Sequence, residues 1–443
     1  MRSSRAICST AKSWSGYWFR QVMAGVWFKR IALTLLAGIL VALLTLAGWI
    51  WQPYDTEAWR VRLPVAGGVE VRVVPLLMMA TSAPGRWVLD RQAFSLNHGD
   101  IQLHDEDGLR VRCRHCWIEA KSVSDQPIVI PMLELWLQMD QQHIHGYLSV
   151  GETQPLFKVE FNGKVSMRSL KLTWELPNTP LQALLKPLQP HSAVISEAIV
   201  SGTLTASGTL RWPKKEWSAQ PQLNAMAVSG LNIRAATTLP IQYDCPLLDE
   251  HKYPEKMQWV PYENLGRWLP VAAIIAEDAE FKHHPGYVMA QMQHLLGKES
   301  TDKQVGGSTI TQQLAKYMFT NGERTWKRKV EELLYAVQLE SALTKTDILE
   351  LYLNTVDLGP SLCGAHAASR YYFDLTPDKL NPIQAAWLAG IISNPHRAWK
   401  KQYIQQQPDL TRAESILHFM PRSARKAPGS LNFRPVKQPD NLQ

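Results

Sequence analysis

Five cysteines in 443 residues leave little for metal chemistry. Cys113-Arg-His-Cys116 is a lone C-x-x-C; zinc asks for about four ligands, and no second pair stands at finger spacing. A local disulfide or two free thiols is the reading that remains. Charge is sparse too, at 19%, and Gly (25) and Pro (28) are unremarkable in number, so the chain is neither disordered nor fibrous. With 45% apolar residues it can bury a sizeable core, and at ~100–200 residues per domain it makes two to four units. Acidic residues are absent from residues 1–30, which carry Arg2, Arg5, Lys12, Arg20, Lys29 and Arg30. The end from Pro421 is also basic, with five cations against Asp440. These two segments account for the net charge of +8 and leave the body slightly acidic. Such a body offers no general footprint for a phosphate backbone, which removes nucleic acid as a partner.

What is present first is one long apolar run. Ile31 to Trp51 is 21 residues without a charge, enough at ~1.5 Å per residue to cross a ~30 Å hydrocarbon core. A cleavable signal has a shorter apolar stretch and a small-residue cleavage site, whereas Trp49 and Trp51 follow here. The basic flank places residues 1–30 in the cytoplasm. The expectation is a single-pass anchor over 31–51 with the remainder outside the cytoplasm, where Cys113, Cys116, Cys245 and Cys363 meet an oxidising space.

Residues 55–235 alternate mostly with period two, as in Phe157, Val159 and Phe161, and Asn162-Gly163 reads as the tight turn before Val165. Ser201 to Leu210 (SGTLTASGTL) is another strand signal, and a short helix is expected near Leu181–Leu185. No catalytic residue types cluster in this β-rich extracytoplasmic domain, so a spacer or protein-docking module is its plain reading. From 241 to 420 the period becomes helical, and 421–443 reads as a basic, Pro-rich tail.

The chemistry-bearing stretch starts near Val260. Ala272 to Gly286 (AAIIAEDAEFKHHPG) runs an apolar helical turn into Glu277 and Asp278. A carboxylate beside an apolar run is partly desolvated, which raises its pKa toward a usable base; an isolated Glu-Asp pair is otherwise an ordinary helix end. Gly306 to Phe319 (GGSTITQQLAKYMF) follows. Its glycines allow close backbone approach, Ser308 reads as the N-cap, and the free amides of the first turn favour an anion. Ser308, Gln312 and Lys316 share one face with Gln313 beside them, while Ile310, Leu314 and Met318 line the other. The P-loop spacing is absent. Arg324 to Glu340 (RTWKRKVEELLYAVQLE) sets Arg328, Lys329 and Glu332 within one turn of each other. That is either a surface ion pair of the common kind or a carboxylate held beside cations that grip a pyrophosphate. Lys345 to Gly359, Gly364 to Phe373 and Leu380 to Pro395 read as core helices.

These blocks, in this order, resemble the peptidoglycan glycosyltransferase domain of family 51, found in class A penicillin-binding proteins and in monofunctional membrane-anchored transglycosylases. The likeness covers about Tyr253 to Met420. It implies a mainly α-helical domain with a lysozyme-like lobe and a smaller lobe resting on the membrane. The overall class is then multi-domain: transmembrane helix, β-rich domain, glycosyltransferase domain. The implied activity is polymerisation of lipid II on a growing lipid-linked glycan strand. By resemblance, Glu277 is the base that deprotonates the acceptor 4-hydroxyl, and Glu332 assists the departing pyrophosphate directly or through a divalent cation (Mg or Mn). Ser308, Gln313, Lys316, Arg324, Arg328 and, more weakly, Lys329 meet the sugars and pyrophosphate. No metal ligand is assigned.

Several positions depart from the family pattern. Tyr317 stands where Asn is usual, Val288 where a polar residue is common, and Gln384 where Glu is common, and Tyr287 to Leu296 lacks a customary Arg. Tyr287, Val288, Met289, Met292, Leu295 and Leu296 could still form a membrane-touching surface. No transpeptidase domain follows, since Ser423-Ala-Arg-Lys426 has no room for a K-T-G-type strand after it. The expected localisation is the bacterial inner membrane, catalytic domain in the periplasm, with other envelope proteins as partners of the β-rich domain. Lytic cleavage of glycan and a catalytically weak envelope scaffold are the competing readings.

Overall fold

The computed structural model describes residues 60–62, 70–96, 98–119, 126–152, 154–166, 169–212, 214, 216–241, 258–289, 308–320, 325–360, 362–404 and 408–434. The expected anchor at 31–51 lies outside them, as do Arg324, Cys245, Met292, Leu295 and Leu296. Among the described residues no helix is long and apolar enough to cross a membrane.

A β-rich region precedes a helical one. Two short strands, β1 (Arg60–Arg62) and β2 (Glu70–Arg72), pair with each other. Helices α1 (Val73–Thr81) and α2 (Ala83–Leu89) come next. Then β3 (Ala93–Leu96), β4 (Gly99–Asp105), β5 (Leu109–Ile118), β6 (Ile128–Asp140), β7 (His143–Val150), β8 (Phe157–Val165), β9 (Leu170–Pro180), β10 (Ile199–Trp212) and β11 (Glu216–Ser229) form one antiparallel sheet. Spatial order equals chain order throughout, including β9 and β10, which short helices separate in sequence. Alternation gives the sheet two unlike faces. One carries Leu135, Leu148, Val159 and Leu172; the other carries Trp136, Tyr147, Glu160 and Thr173. On the apolar face, Phe161 and Trp174 lie over Gly146 and Gly208, where an added Cβ would come within 2.8 and 2.7 Å of the rings.

The expected turn at Asn162-Gly163 is not a turn. Both residues sit inside β8, and Asn162 pairs with His145 and Thr173. The period-two pattern runs straight through the dipeptide, and the glycine lets the β9 backbone come close: a Cβ there would lie 2.0 Å from the Lys171 oxygen. The chain reverses instead at Ser166–Ser169, closed by Ser166 N–H donating to the Ser169 carbonyl at 2.8 Å. Cys113 and Cys116 are joined as a disulfide within β5.

After β9 come α3 (Leu181–Leu185), where a short helix was expected, and α4 (Ala193–Glu197) ahead of β10. Beyond β11 and α5 (Arg234–Thr237) stand α6 (Trp268–Glu277), α7 (Ile310–Phe319), α8 (Trp326–Ala342), α9 (Lys345–Thr355), α10 (Gly364–Phe373), α11 (Pro382–Ile391), α12 (Pro395–Trp399), α13 (Thr411–Phe419) and α14 (Arg422–Lys426). Helix α11 is buried nearly all round, which its uniformly apolar sequence requires. Its Trp387 is, with Tyr372, Tyr352 and Phe281, among the largest fully buried side chains of the core.

That core does not stop at the β region. Ile195, Val200, Val228 and Leu231 belong to the same buried cluster as the helices. Gln338 on α8 accepts from Leu231 N at 3.0 Å and donates to Leu231 O at 2.8 Å, and Ser192 donates to Glu331 at 2.7 Å. Residues 421–434, at the start of the segment read as a basic tail, pack on the helical core. Phe433 stacks on Phe373 with centroids 5.3 Å apart, and Arg434 N donates to Tyr372 O at 2.7 Å.

Candidate active site

Helix α6 buries Leu269, Ala272 and Ala273 and ends at Glu277. The next residue fixes that end. Buried Asp278 accepts from Ile310 N at 2.9 Å and binds His284 Nε2 at 2.9 Å. Gly286 N donates to His284 Nδ1 at 3.1 Å, so the ring proton sits on Nε2 and points at Asp278. The carboxylate thus joins the end of α6 to the amide-rich start of α7, where a negative charge is favoured. This role for Asp278 and His284 was not visible in the sequence, because a helix-end Asp gives no clue to its partner 32 residues on.

Glu277 therefore projects from a rigid corner, with its side chain 9% exposed. Gln313 Nε2 donates to it at 3.0 Å, and Arg412 Nη2 on α13 donates to its other oxygen at 2.8 Å. Gln313 is oriented in turn by the buried Tyr352 hydroxyl, which donates to Gln313 Oε1 at 3.0 Å. Burial pushes the Glu277 carboxyl above its ordinary range; the Gln313 bond and the Arg412 charge pull it back, and Asp278 adds to the rise. Arg412 was missed in the sequence, since it arrives from a helix 135 residues downstream with no local motif.

Helix α7 begins one residue later than expected. Thr309, not Ser308, is its N-cap and forms a capping box with Gln312. Thr309 caps the helix while also donating to Gly286 O at 2.7 Å. Ser308 is left facing α8, where it accepts from Lys329 Nζ at 2.9 Å. Gln312 is spent on the cap rather than on a substrate face.

On α8, Glu332 is no surface residue: its side chain is 1% exposed. Lys329 Nζ lies 2.7 Å from Oε2, and Arg328 Nε lies 3.2 Å from Oε1. That second contact is an ion pair without hydrogen-bond alignment, and both of its atoms are buried. Lys316, exposed on α7, completes a cationic group. Desolvation and then the Arg328 charge lower its pKa, while Glu332 and Asp357 oppose this. Both carboxylates are linked to the α7 segment, Glu277 by Gln313 on the helix and Glu332 through Lys329 to Ser308 just before it. Among the described residues no three His, Cys, Asp or Glu side chains converge as a preformed metal site would need.

Of the departures, Gln384 is explained. It fills the N3 position of the α11 capping box, which accepts Gln as readily as Glu. Tyr317 is partly buried against the core, with Lys316 Nζ 5.3 Å from its ring centre. Tyr287 also packs on the core; nothing in the structure explains Val288.

The transglycosylase family model matches residues 246–420. A biosynthetic peptidoglycan transglycosylase of Alcanivorax borkumensis is 36% identical over 189 residues, 42% of this chain and 75% of the relative. The chain belongs to the transglycosylase family. A second relative of the same description, from Nitrosomonas eutropha, is 40% identical over 166 residues, 37% of this chain and 67% of its own length. A third, from Dechloromonas aromatica, is 42% identical over 149 residues, 32% of this chain and 64% of its own length. The transglycosylase match begins beyond β11, and the helices that carry Glu277, Gln313, Glu332 and Arg412 all fall within it.

Proposed function

We propose that the chain is a peptidoglycan glycosyltransferase of cell-wall synthesis that polymerises lipid II into β-1,4-linked glycan and releases undecaprenyl pyrophosphate. One observation carries the mechanistic reading: a buried carboxylate held by Gln313 of α7, and a cation-lined carboxylate linked through Lys329 to Ser308 just before that helix. In this reading Glu277 takes the proton from the acceptor 4-hydroxyl as that oxygen attacks the donor's anomeric carbon. The bond to pyrophosphate breaks on the opposite face, which inverts the configuration. Lys316, Arg328 and Lys329 take up the charge that collects on the leaving group, so a strong general acid is not required. The misaligned Arg328–Glu332 pair supports this, because a guanidinium not locked to its carboxylate can turn a donor toward a phosphate. Arg324 would join them.

The proposal includes a single-pass anchor at residues 31–51 in the inner membrane, with the catalytic domain in the periplasm, as the charge-free run and its basic flank support. The test is incubation of the detergent-solubilised chain with labelled lipid II. Polymer is expected from the wild type and none from Glu277→Gln. Lipid II bound without product would overturn the reading in favour of a scaffold, and shortening of preformed glycan would overturn it in favour of lytic cleavage.

A further inference from the structure

The polar face of the nine-stranded sheet is hollow. A cavity of about 650 Å³ opens across β6 to β11, far in sequence from every residue of the catalytic reading. Two parallel rows of side chains floor it. One runs Trp136, Tyr147, Glu160, Glu175, Ser207, Gln220, each the direct cross-strand partner of the next. The other continues from His145 through Asn162, Thr173, Thr209 and Ser218. Five interstrand steps at ~4.8 Å make the first row roughly 24 Å long, and four make the second roughly 19 Å.

The chemistry along the rows changes in a definite order. At one end Trp136 and Tyr147 lie side by side, 18° from parallel with centroids 5.8 Å apart. Their polar tips are tied down: the Trp136 indole donates to Glu106 O at 3.1 Å and the Tyr147 hydroxyl to Glu134 at 3.0 Å. The indole is also held low by Gly108, where a Cβ would meet its ring at 2.7 Å. Beyond the rings come the carboxylates of Glu160 and Glu175, and with them neutral hydroxyls and amides on β8 to β11. The charged members are few and mixed in sign: Lys158 pairs with Glu160 at 2.8 Å and covers the Tyr147 ring, 4.3 Å from its centroid, which leaves Trp136 as the open ring.

This lining excludes two ligand classes. A polyanion would need a run of cations, and an acyl chain would need an apolar floor, which lies on the opposite face. A fixed indole beside carboxylates and neutral hydrogen-bonding groups matches a carbohydrate, whose apolar C–H face stacks on Trp136 while its hydroxyls and acetamido groups find partners. We propose that this hollow binds a glycan chain of 1,4-linked amino sugars, the polymer class that the active site would release. The choice of polymer rests on the proposed function. The sheet also supplies continuity: β11, the last strand of the hollow, packs on α8, the helix of Glu332.

The test uses the full chain in detergent, with chitohexaose and uncrosslinked glycan strands as probes, and calorimetric titration as the readout. Trp136→Ala should weaken binding about tenfold, the worth of one aromatic stacking contact. Gln220→Ala and Thr173→Ala, exposed positions that leave the fold intact, should each weaken it a few-fold. All three should leave the initial rate of lipid II turnover unchanged. Glu277→Gln separates the two proposals, since it should abolish turnover and leave binding intact. Wild-type chain that takes up neither probe would overturn the inference, as would binding indifferent to all three sheet substitutions. So would a hollow that instead captures a protein in a manner lost with Trp136.

Discussion

The phenol of Tyr352 reaches Glu277 through one amide. It donates to Gln313 Oε1 at 3.0 Å, and Gln313 Nε2 donates to Glu277 Oε2 at 3.0 Å. Burial holds the phenol protonated, well above its usual range, so it keeps a proton to donate to Oε1, which leaves Nε2 facing the carboxylate. Tyr352→Phe removes that instruction. Glu277 then loses a bond that favours its charged form, and its pKa rises. The expected outcome is a three- to tenfold loss of turnover at neutral pH, about one hydrogen bond's worth, with recovery at higher pH. A rate–pH profile of the variant showing no upward move of its acidic limb would refute this chain of control.

Arg412 acts on the same carboxylate from the other side. A base works only when ionised, so wild-type turnover should rise with pH through the Glu277 pKa, which lies above the ordinary carboxylate range. A nearby cation lowers a carboxyl pKa, and Arg412→Ala should therefore shift the limb to higher pH. Because the Arg412 side chain is 44% exposed, solvent screens it and the shift should stay below about one pH unit. Single-turnover rates between pH 5 and 9 measure it; a limb that moves down, or stays put, contradicts the assignment.

Glu332 poses the opposite electrostatic problem, a carboxylate surrounded by cations and cut off from water. Glu332→Gln leaves Arg328 buried without a counter-charge, which costs about 3–5 kcal/mol, so a lower melting temperature should accompany lost activity. Lys329 separates the two effects, since its side chain is 39% exposed and its removal should spare the fold. Lys329→Met should reduce turnover by a factor on the order of 10²–10³, as loss of one charge-stabilising donor does, with little change in melting temperature. Equal losses of stability in both variants would make the cluster structural.

The ordered motifs in the sequence held much of this arrangement, because each block carries its own helical period and its polar residues fall on one face. Glu277 ends an apolar run, and Glu332 sits one turn from two cations. Neither fact required tertiary knowledge. Three things did. Whether Ser308 or Thr309 caps α7 depended on Gly286 lying within reach of the threonine hydroxyl. The Arg412 contact depended on how α13 packs. Asn162-Gly163 has the composition of a turn, and only pairing with β7 and β9 keeps it inside a strand. Local chemistry was legible, and partners distant in sequence were not.

The β-rich region is more than a tether, and Gln338 makes that measurable. Its amide satisfies both backbone groups of Leu231, from the middle of the helix that bears Glu332. The residue is 8% exposed, so water cannot readily replace it. Gln338→Ala strands a buried N–H and a buried C=O, each costing about 1–3 kcal/mol. Thermal unfolding should show a clear loss of stability, and hydrogen exchange should show faster exchange at Leu231 and along α8. Gln338→Glu keeps an acceptor for Leu231 N but offers no donor to Leu231 O, and it adds a buried charge. It should therefore do no better than alanine. If both variants melt with the wild type, the two regions are merely adjacent, and the glycosyltransferase helices owe nothing to the sheet.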